Sequence, residues 1–365
     1  MRRAAAVVIL AMLAVQPLPT SAQARRTDPL AAFRSLPISA LIEQAASPVP
    51  EARALIACAL RERRAAAAPA LDVLFGMLAD ETPLHPSTCY VGEGWNDSER
   101  DATSPGWEAA RALAAIGAPA FDRLVKTLGD TRGVVRRHAA YALGAIDDAR
   151  AVEPLIARLD DQDATVREQA TWALGAIDDA RAVMPVIGRL GDSVAAVRAK
   201  AAWALGAIDD VRATEPLSRL VRDADATVRG RVAWALGAID DQRGVPALLV
   251  ALKDSQPSVR RQAAWALGAI EDQRGVDDLV KTLRDTQADV RAQAAWALGT
   301  IEDTRAVPGL LDAMADTQPD VRRRAAWALG TIGDTRATLV LTAALQDADR
   351  EVRRQAAWAL GHVGR

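Results

Sequence analysis

The phrase A-A-W-A-L-G-A-I, followed by an acidic pair and an arginine two positions on, stands at Ala201 to Arg212 and returns along the chain at a fixed step of 31 residues. Trp172, Trp203, Trp234, Trp265, Trp296, Trp327 and Trp358 mark its centre, with Tyr141 in the earliest regular copy. A gapless repeat of this size is one supersecondary unit that cannot bury its apolar face alone, so the copies must stack into a single elongated array. That constraint overrides the two or three domains that 365 residues would otherwise suggest.

Each regular unit reads as two helices. The first carries R-A-V-x-P-L-x-x-x-L, as in Arg150 to Leu159, behind Asp148, whose carboxylate suits an N-cap. Pro154, Pro185 and Pro216 fit its first turns, where backbone N–H groups lack partners. The second carries x-V-R-x-x-A-A-W-A-L-G-x-I, as in Ser258 to Ile270, and Gly268 near its end either admits a neighbouring helix or begins the exit. At about 100° per residue with Val259 as zero, Ala263, Ala266, Leu267 and Ile270 fall within about 80° of Val259, whereas Trp265 lies near 240° with Arg261, Gln262 and Ala269. The tryptophans therefore point away from their own hairpin core, and stacking aligns them along one surface.

These two segments resemble the HEAT-like repeats of the phycobilisome-lyase type over nearly all of the chain beyond its first residues. The resemblance implies an all-α fold, a right-handed α-α superhelical solenoid of helical hairpins whose second helices line the concave face. It also implies that the four x positions of V-R-x-x-A-A-x-A-L-G-x-I are the exposed, ligand-contacting ones. Here those positions hold Tyr141 and the seven tryptophans, His138, and the cations Arg137, Lys200, Arg231, Arg261, Arg323, Arg324 and Arg354 against one acid, Glu168. Aromatic platforms beside guanidinium groups suit an extended protein or peptide partner through stacking, cation–π contact and charge-assisted hydrogen bonds. The opposing reading is structural: one residue type recurring in every unit also fits indoles that only cover their neighbours and keep the array in register. Arg167, Arg198, Arg229, Arg260 and Arg291 are expected to form an internal ladder with Asp179, Asp210, Asp241, Asp272 and Asp303.

The ends and the irregular units add further expectations. Met1-Arg2-Arg3, the apolar run Ala4 to Val15 and the small-x-small exit Ala22-Gln23-Ala24 describe a signal peptide cleaved after Ala24, hence a periplasmic or secreted protein. Its removal takes away two arginines and no acid, moving the formal charge from −2 to −4, which argues against nucleic acid, and no later stretch suits a membrane span. Residues 25–37 read as a flexible lead-in, 38–129 as degenerate repeats and 130–365 as regular ones, with an inserted loop at about 81–105. Cys58 takes the tryptophan position of the first degenerate unit and Cys89 lies on the insertion that can fold over it, so the two are expected to form a disulfide. The last helix, Glu351 to Val363, keeps the internal consensus, which favours self-association.

No catalytic residue, metal site or cofactor is assigned. Hydroxylases of this repeat class use His-Glu pairs, and none of His85, His138 or His362 precedes a glutamate. His85, Cys89 and Asp97 are too sparse a set for a metal. The leading expectation is a non-catalytic scaffold, with a cofactor-bearing, lyase-like protein and a purely structural spacer as the alternatives.

Overall fold

The computed structural model describes residues 28–89 and 103–364. The expected signal segment lies outside them, as do Tyr90, Trp95, Asp97 and Asp101 of the insertion. The chain is an all-α solenoid in which hairpins of unequal helices follow one another. Among the described residues there is no strand, only an isolated bridge between Leu84 and Thr103 at the neck of the insertion.

The second helices run Pro50–Glu62, Pro105–Ile116, Gly133–Ile146, Ala164–Ile177, Ala195–Ile208, Ala226–Ala238, Pro257–Ile270, Ala288–Ile301, Pro319–Ile332 and Arg350–Leu360. First helices are short, such as Val183–Arg189, and each regular one is entered through a 3-10 turn such as Ala180–Ala182. The acidic pair between them divides its work. Its first member turns the chain out of the second helix in the left-handed region, with φ between 51° and 59° at Asp147, Asp178, Asp209, Asp240, Glu271 and Glu302. Its second member caps the next turn: Asp179 accepts from the Arg181 backbone N–H at 2.9 Å, and the Arg181 guanidinium returns to the same carboxylate at 2.7 Å. This clasp holds the Asp179 carboxyl down at about 2.

Valine, alanine and leucine of the consensus are fully buried, as at Val259, Ala263, Ala266 and Leu267. The glycine near each second-helix end is a contact point. A Cβ on Gly206 would stand 2.8 Å from Ala235 Cα, and one on Gly268 would stand 2.8 Å from Ala297 Cα. Consecutive second helices thus pack closely along their length, whereas consecutive first helices meet far less. The second helices thus form one continuous packed layer of the solenoid and the first helices the other.

The arginine ladder is present with different acids from those expected. Arg167 donates to Asp192 at 2.8 and 2.9 Å, Arg198 to Asp223 at 2.8 Å twice, and the pattern continues as Arg229–Asp254, Arg260–Asp285, Arg291–Asp316 and Arg322–Asp347. Asp179 and its equivalents are already occupied as caps and sit at the far end of the second helix; the twelve residues separating Arg167 from Asp179 span about 18 Å of helix. Asp192 belongs to the turn of the following unit that returns to Arg167's own end. Each bridge therefore ties one repeat to the next. The hydrogen bonds from Arg167 hold Asp192 below the ordinary carboxylate range against the opposing pull of burial.

The lead-in is packed from Asp28 onward, unlike the expected free segment. Leu30 and Phe33 are buried, and the Arg63 guanidinium reaches the carbonyls of Arg34 and Leu36 at 3.0 and 2.7 Å. No helix among the described residues is long and apolar enough to cross a membrane.

Candidate functional site

The layer of second helices carries the repeated aromatics. Tyr141, Trp172, Trp203, Trp234, Trp265, Trp296 and Trp327 are half-buried, and Trp358 is exposed at 38%. Each indole has two environments. The benzo edge rests on the glycine of the preceding unit: a Cβ on Gly206 would meet Trp234 Cζ3 at 2.8 Å, and the same seating recurs from Trp172 on Gly144 to Trp358 on Gly330. Part of each ring packs on the core and part stays exposed. Position on the wheel gave the face; the preceding helix decides how much of each ring remains free.

The cations of this face are more neutralised than seven against one. Arg137 pairs with Glu81, Lys200 approaches Glu168 at 4.0 Å, and Arg261 approaches Asp289 at 3.9 Å. Arg323 and Arg324 share Asp320, and Arg354 pairs with Glu351. Arg231 is exposed with no acidic partner among the described residues. Asp289, Asp320 and Glu351 precede the buried valine of their helices, a position that falls near 260° on the wheel and so beside the tryptophan. That arithmetic would have found them in the sequence.

At the N-terminal end the regular row gives way to a distinct cluster. Tyr141 stacks on Trp172 at 5.2 Å and 15°, Trp107 lies 4.6 Å from Tyr141, and His138 lies 5.2 Å from Trp107. Arg111 and Arg137 stand 5.8 and 5.9 Å from the Trp107 ring. His138, expected at an exposed position, is fully buried, its Nδ1 2.7 Å from the carbonyl oxygen of Leu78 at the end of Leu71–Met77, the first helix of the preceding unit. Burial lowers its pKa to about 4, the bond to Leu78 opposing.

Beneath this cluster Cys58 and Cys89 are joined, with Cα atoms 6.1 Å apart. Glu108 is buried against them at 1% exposure, its Oε2 3.2 Å from Cys58 Sγ. It accepts from Arg111 at 2.7 Å, Thr103 at 2.8 Å and Arg61 at 3.1 Å, the pairing that a buried carboxylate requires. Trp107, Glu108 and Arg111 were not anticipated as site residues. Aligning Ile116-Gly117 with Ile270-Glu271, both glycine and glutamate having positive φ, would have placed Arg111 in the tryptophan slot and Glu108 in one of the x positions of the consensus.

The sequence matches the family described as HEAT repeats over residues 106–175, 152–227, 216–299 and 276–361. Among solved structures, an engineered protein is 26% identical, with 90% of this chain and 99% of that one covered at a TM-score of 0.51. The Escherichia coli protein YibA is 23% identical, with 74% and 99% covered at 0.54. Importin beta is 15% identical, with 89% and 52% covered at 0.65. At these identities the likeness to YibA and importin beta concerns the fold alone. No curated protein matches this sequence.

Proposed function

The chain belongs to the HEAT-repeat family, and on that premise we propose that it is a non-catalytic scaffold or adaptor that holds an extended protein or peptide segment along its concave face. The observation that carries this reading is the unbroken row of half-exposed aromatics, one per unit from Tyr141 to Trp358, interleaved with guanidinium groups. Rigid indoles seated on glycine lose little freedom when a partner stacks on them, and tryptophan and arginine dominate binding hot spots. Every cation of the row except Arg231 already has an acid nearby, so the face offers stacking and exchangeable hydrogen bonds rather than a strong positive field. That balance favours a mixed-charge polypeptide over nucleic acid.

The seating of each indole on the preceding glycine favours a second reading, in which the row only keeps the units in register. Arg231→Glu with Arg261→Glu separates the two, because both side chains are exposed and neither is built into the packing. Affinity capture from extract of the source cells is expected to lose the bound partner by at least tenfold in this variant; undiminished capture would overturn the concave-face reading.

The same proposal places the protein outside the cytoplasm after removal of residues 1–24. It is supported by the basic, apolar and small-residue succession at the N-terminus and by the bond between Cys58 and Cys89. Self-association through Arg350–Leu360, where Trp358 is the most open indole among the described residues, belongs to it too. Light scattering over a concentration series tests that part, and a constant monomer mass would remove it.

A further inference from the structure

Glu108 poses a chemical question that the binding role leaves unanswered. Its Oε1 is held by Arg111 and Thr103, which turns Oε2 toward the Cys58 sulfur at 3.2 Å. A disulfide sulfur has no proton to donate, so Oε2, which accepts from Arg61 at 3.1 Å, has no hydrogen bond to the sulfur it faces. We propose that reduction of the Cys58–Cys89 bond converts these three residues into a site for one zinc ion. The insertion is then tied to the second helix Pro50–Glu62 covalently in one redox state and through a metal in the other.

The geometry is close to what the ion needs. Cys58 Sγ, Cys89 Sγ and a Glu108 carboxylate oxygen all lie within 4.8 Å of one another. Zn–S bonds of about 2.3 Å and a Zn–O bond of about 2.0 to 2.1 Å in a tetrahedron require about 3.8 Å between sulfurs and about 3.6 Å from sulfur to oxygen. The Cys58-to-Glu108 distance therefore opens by only about 0.4 Å. Separated sulfurs are reached by side-chain rotation from Cα atoms 6.1 Å apart.

The surroundings fit as well. Two thiolates and a carboxylate are a donor set for zinc rather than for calcium or magnesium, which take oxygen ligands. Cys58 and Glu108 are withdrawn from water, while half-buried Cys89 leaves an approach for the ion and for a water in the fourth position. Three ligand charges against two on zinc leave one net negative charge, which Arg61 and Arg111 flank. Arg111 and Thr103 would orient the carboxylate from behind, and only Arg61, 3.1 Å from Oε2, has to yield its bond.

The steps balance. A dithiol reductant gives the disulfide two electrons and two protons and is itself oxidised to a disulfide; zinc binding then displaces both thiol protons to solvent. This site is independent of the concave-face reading, and either can fail without the other.

The full chain, oxidised or reduced with a phosphine, is titrated with Zn²⁺ against a chromophoric chelator, and with Co²⁺ as a spectroscopic probe. The expected result is one zinc per chain after reduction and none before, with thiolate-to-cobalt charge-transfer bands. Glu108→Gln should lower the affinity at least tenfold and change the cobalt spectrum. Zinc uptake by the reduced chain no greater than by the oxidised one overturns the proposal, as does an unchanged affinity in folded Glu108→Gln. Because that substitution leaves Arg61 and Arg111 uncompensated and can unfold the unit, Cys89→Ser is the second variant. Folded, reduced Cys89→Ser that binds zinc as tightly as the wild type overturns the proposal equally.

Discussion

Alanine in place of glycine inside a helix ordinarily stabilises it by about 1 kcal/mol. The fold described above predicts the opposite sign at Gly206. The new Cβ would stand 2.8 Å from Ala235 Cα, 2.9 Å from Ala235 Cβ and 2.8 Å from Trp234 Cζ3, where ordinary contact begins at 3.4 Å. Two of those atoms are fixed to the neighbouring helix backbone, so relief requires the helices to separate by about 0.6 Å and loosens the contacts around them. Overpacking of this kind costs about 1 to 3 kcal/mol, and the propensity gain of about 1 kcal/mol offsets part of it, leaving a net loss of up to about 2 kcal/mol. Gly188, on an exposed stretch of the first helix Val183–Arg189, has nothing within 4 Å of its Cβ position. Gly188→Ala is therefore expected to stabilise by about 0.5 to 1 kcal/mol. Urea unfolding followed by circular dichroism reads both, and amide exchange over Ala226–Ala238 reads the local loosening. Gly206→Ala as stable as the wild type, or more so, would refute the close approach of the second helices. Trp234→Leu should recover part of the loss, because the indole edge is one of the three contacts.

The inter-repeat bridges should behave as partly buried pairs: Arg198→Met strands Asp223 and is expected to cost about 2 to 4 kcal/mol, whereas Arg219→Met, whose partner Glu215 is exposed, should cost under about 1 kcal/mol in the same urea assay. Acid should act in two stages. His138 is neutral in the fold and its pKa is lowered to about 4, so its contribution is complete above the ordinary value of 6.5 and is lost as pH falls toward 4, by about 3 kcal/mol. Asp192 and its equivalents, held below the ordinary carboxylate range, lose theirs only at lower pH. Denaturation at pH 7, 5.5 and 4 should show the first stage, and His138→Gln should flatten it. Cys89→Ser opens a link across 31 residues, worth about 3 to 4 kcal/mol by loop entropy; the loss should fall on the N-terminal units, with exchange protection unchanged beyond about residue 200.

The helical hairpins, their buried stripe and the aromatic face are legible in the repeat phase alone. Val259, Ala263 and Leu267 are buried and Arg261 is exposed because a single helix obeys its own periodicity. What it could not reveal lies between units. Asp192 is further from Arg167 in sequence than Asp179 is, yet the chain reverses at each hairpin and brings the more distant acid to the correct end. His138 occupies an exposed slot of the pattern, but the irregular neighbour supplies the Leu78 carbonyl that covers it. Glu108 escaped notice because its unit lacks the tryptophan that sets the phase, and only the positive-φ exit at Gly117 restores it. Regular positions were therefore readable one helix at a time, while the cluster beside the insertion depends on where the repeat is broken.

On the proposed function the partner lies along the concave side. A photo-reactive residue placed at Arg261, beside Trp265 on the inner surface, is compared with one at Leu339, which is 83% exposed on a first helix. After irradiation in extract of the source cells, a discrete protein adduct is expected from position 261 and none from position 339. Equal adducts from both positions, or an adduct from 339 alone, would contradict a concave binding face.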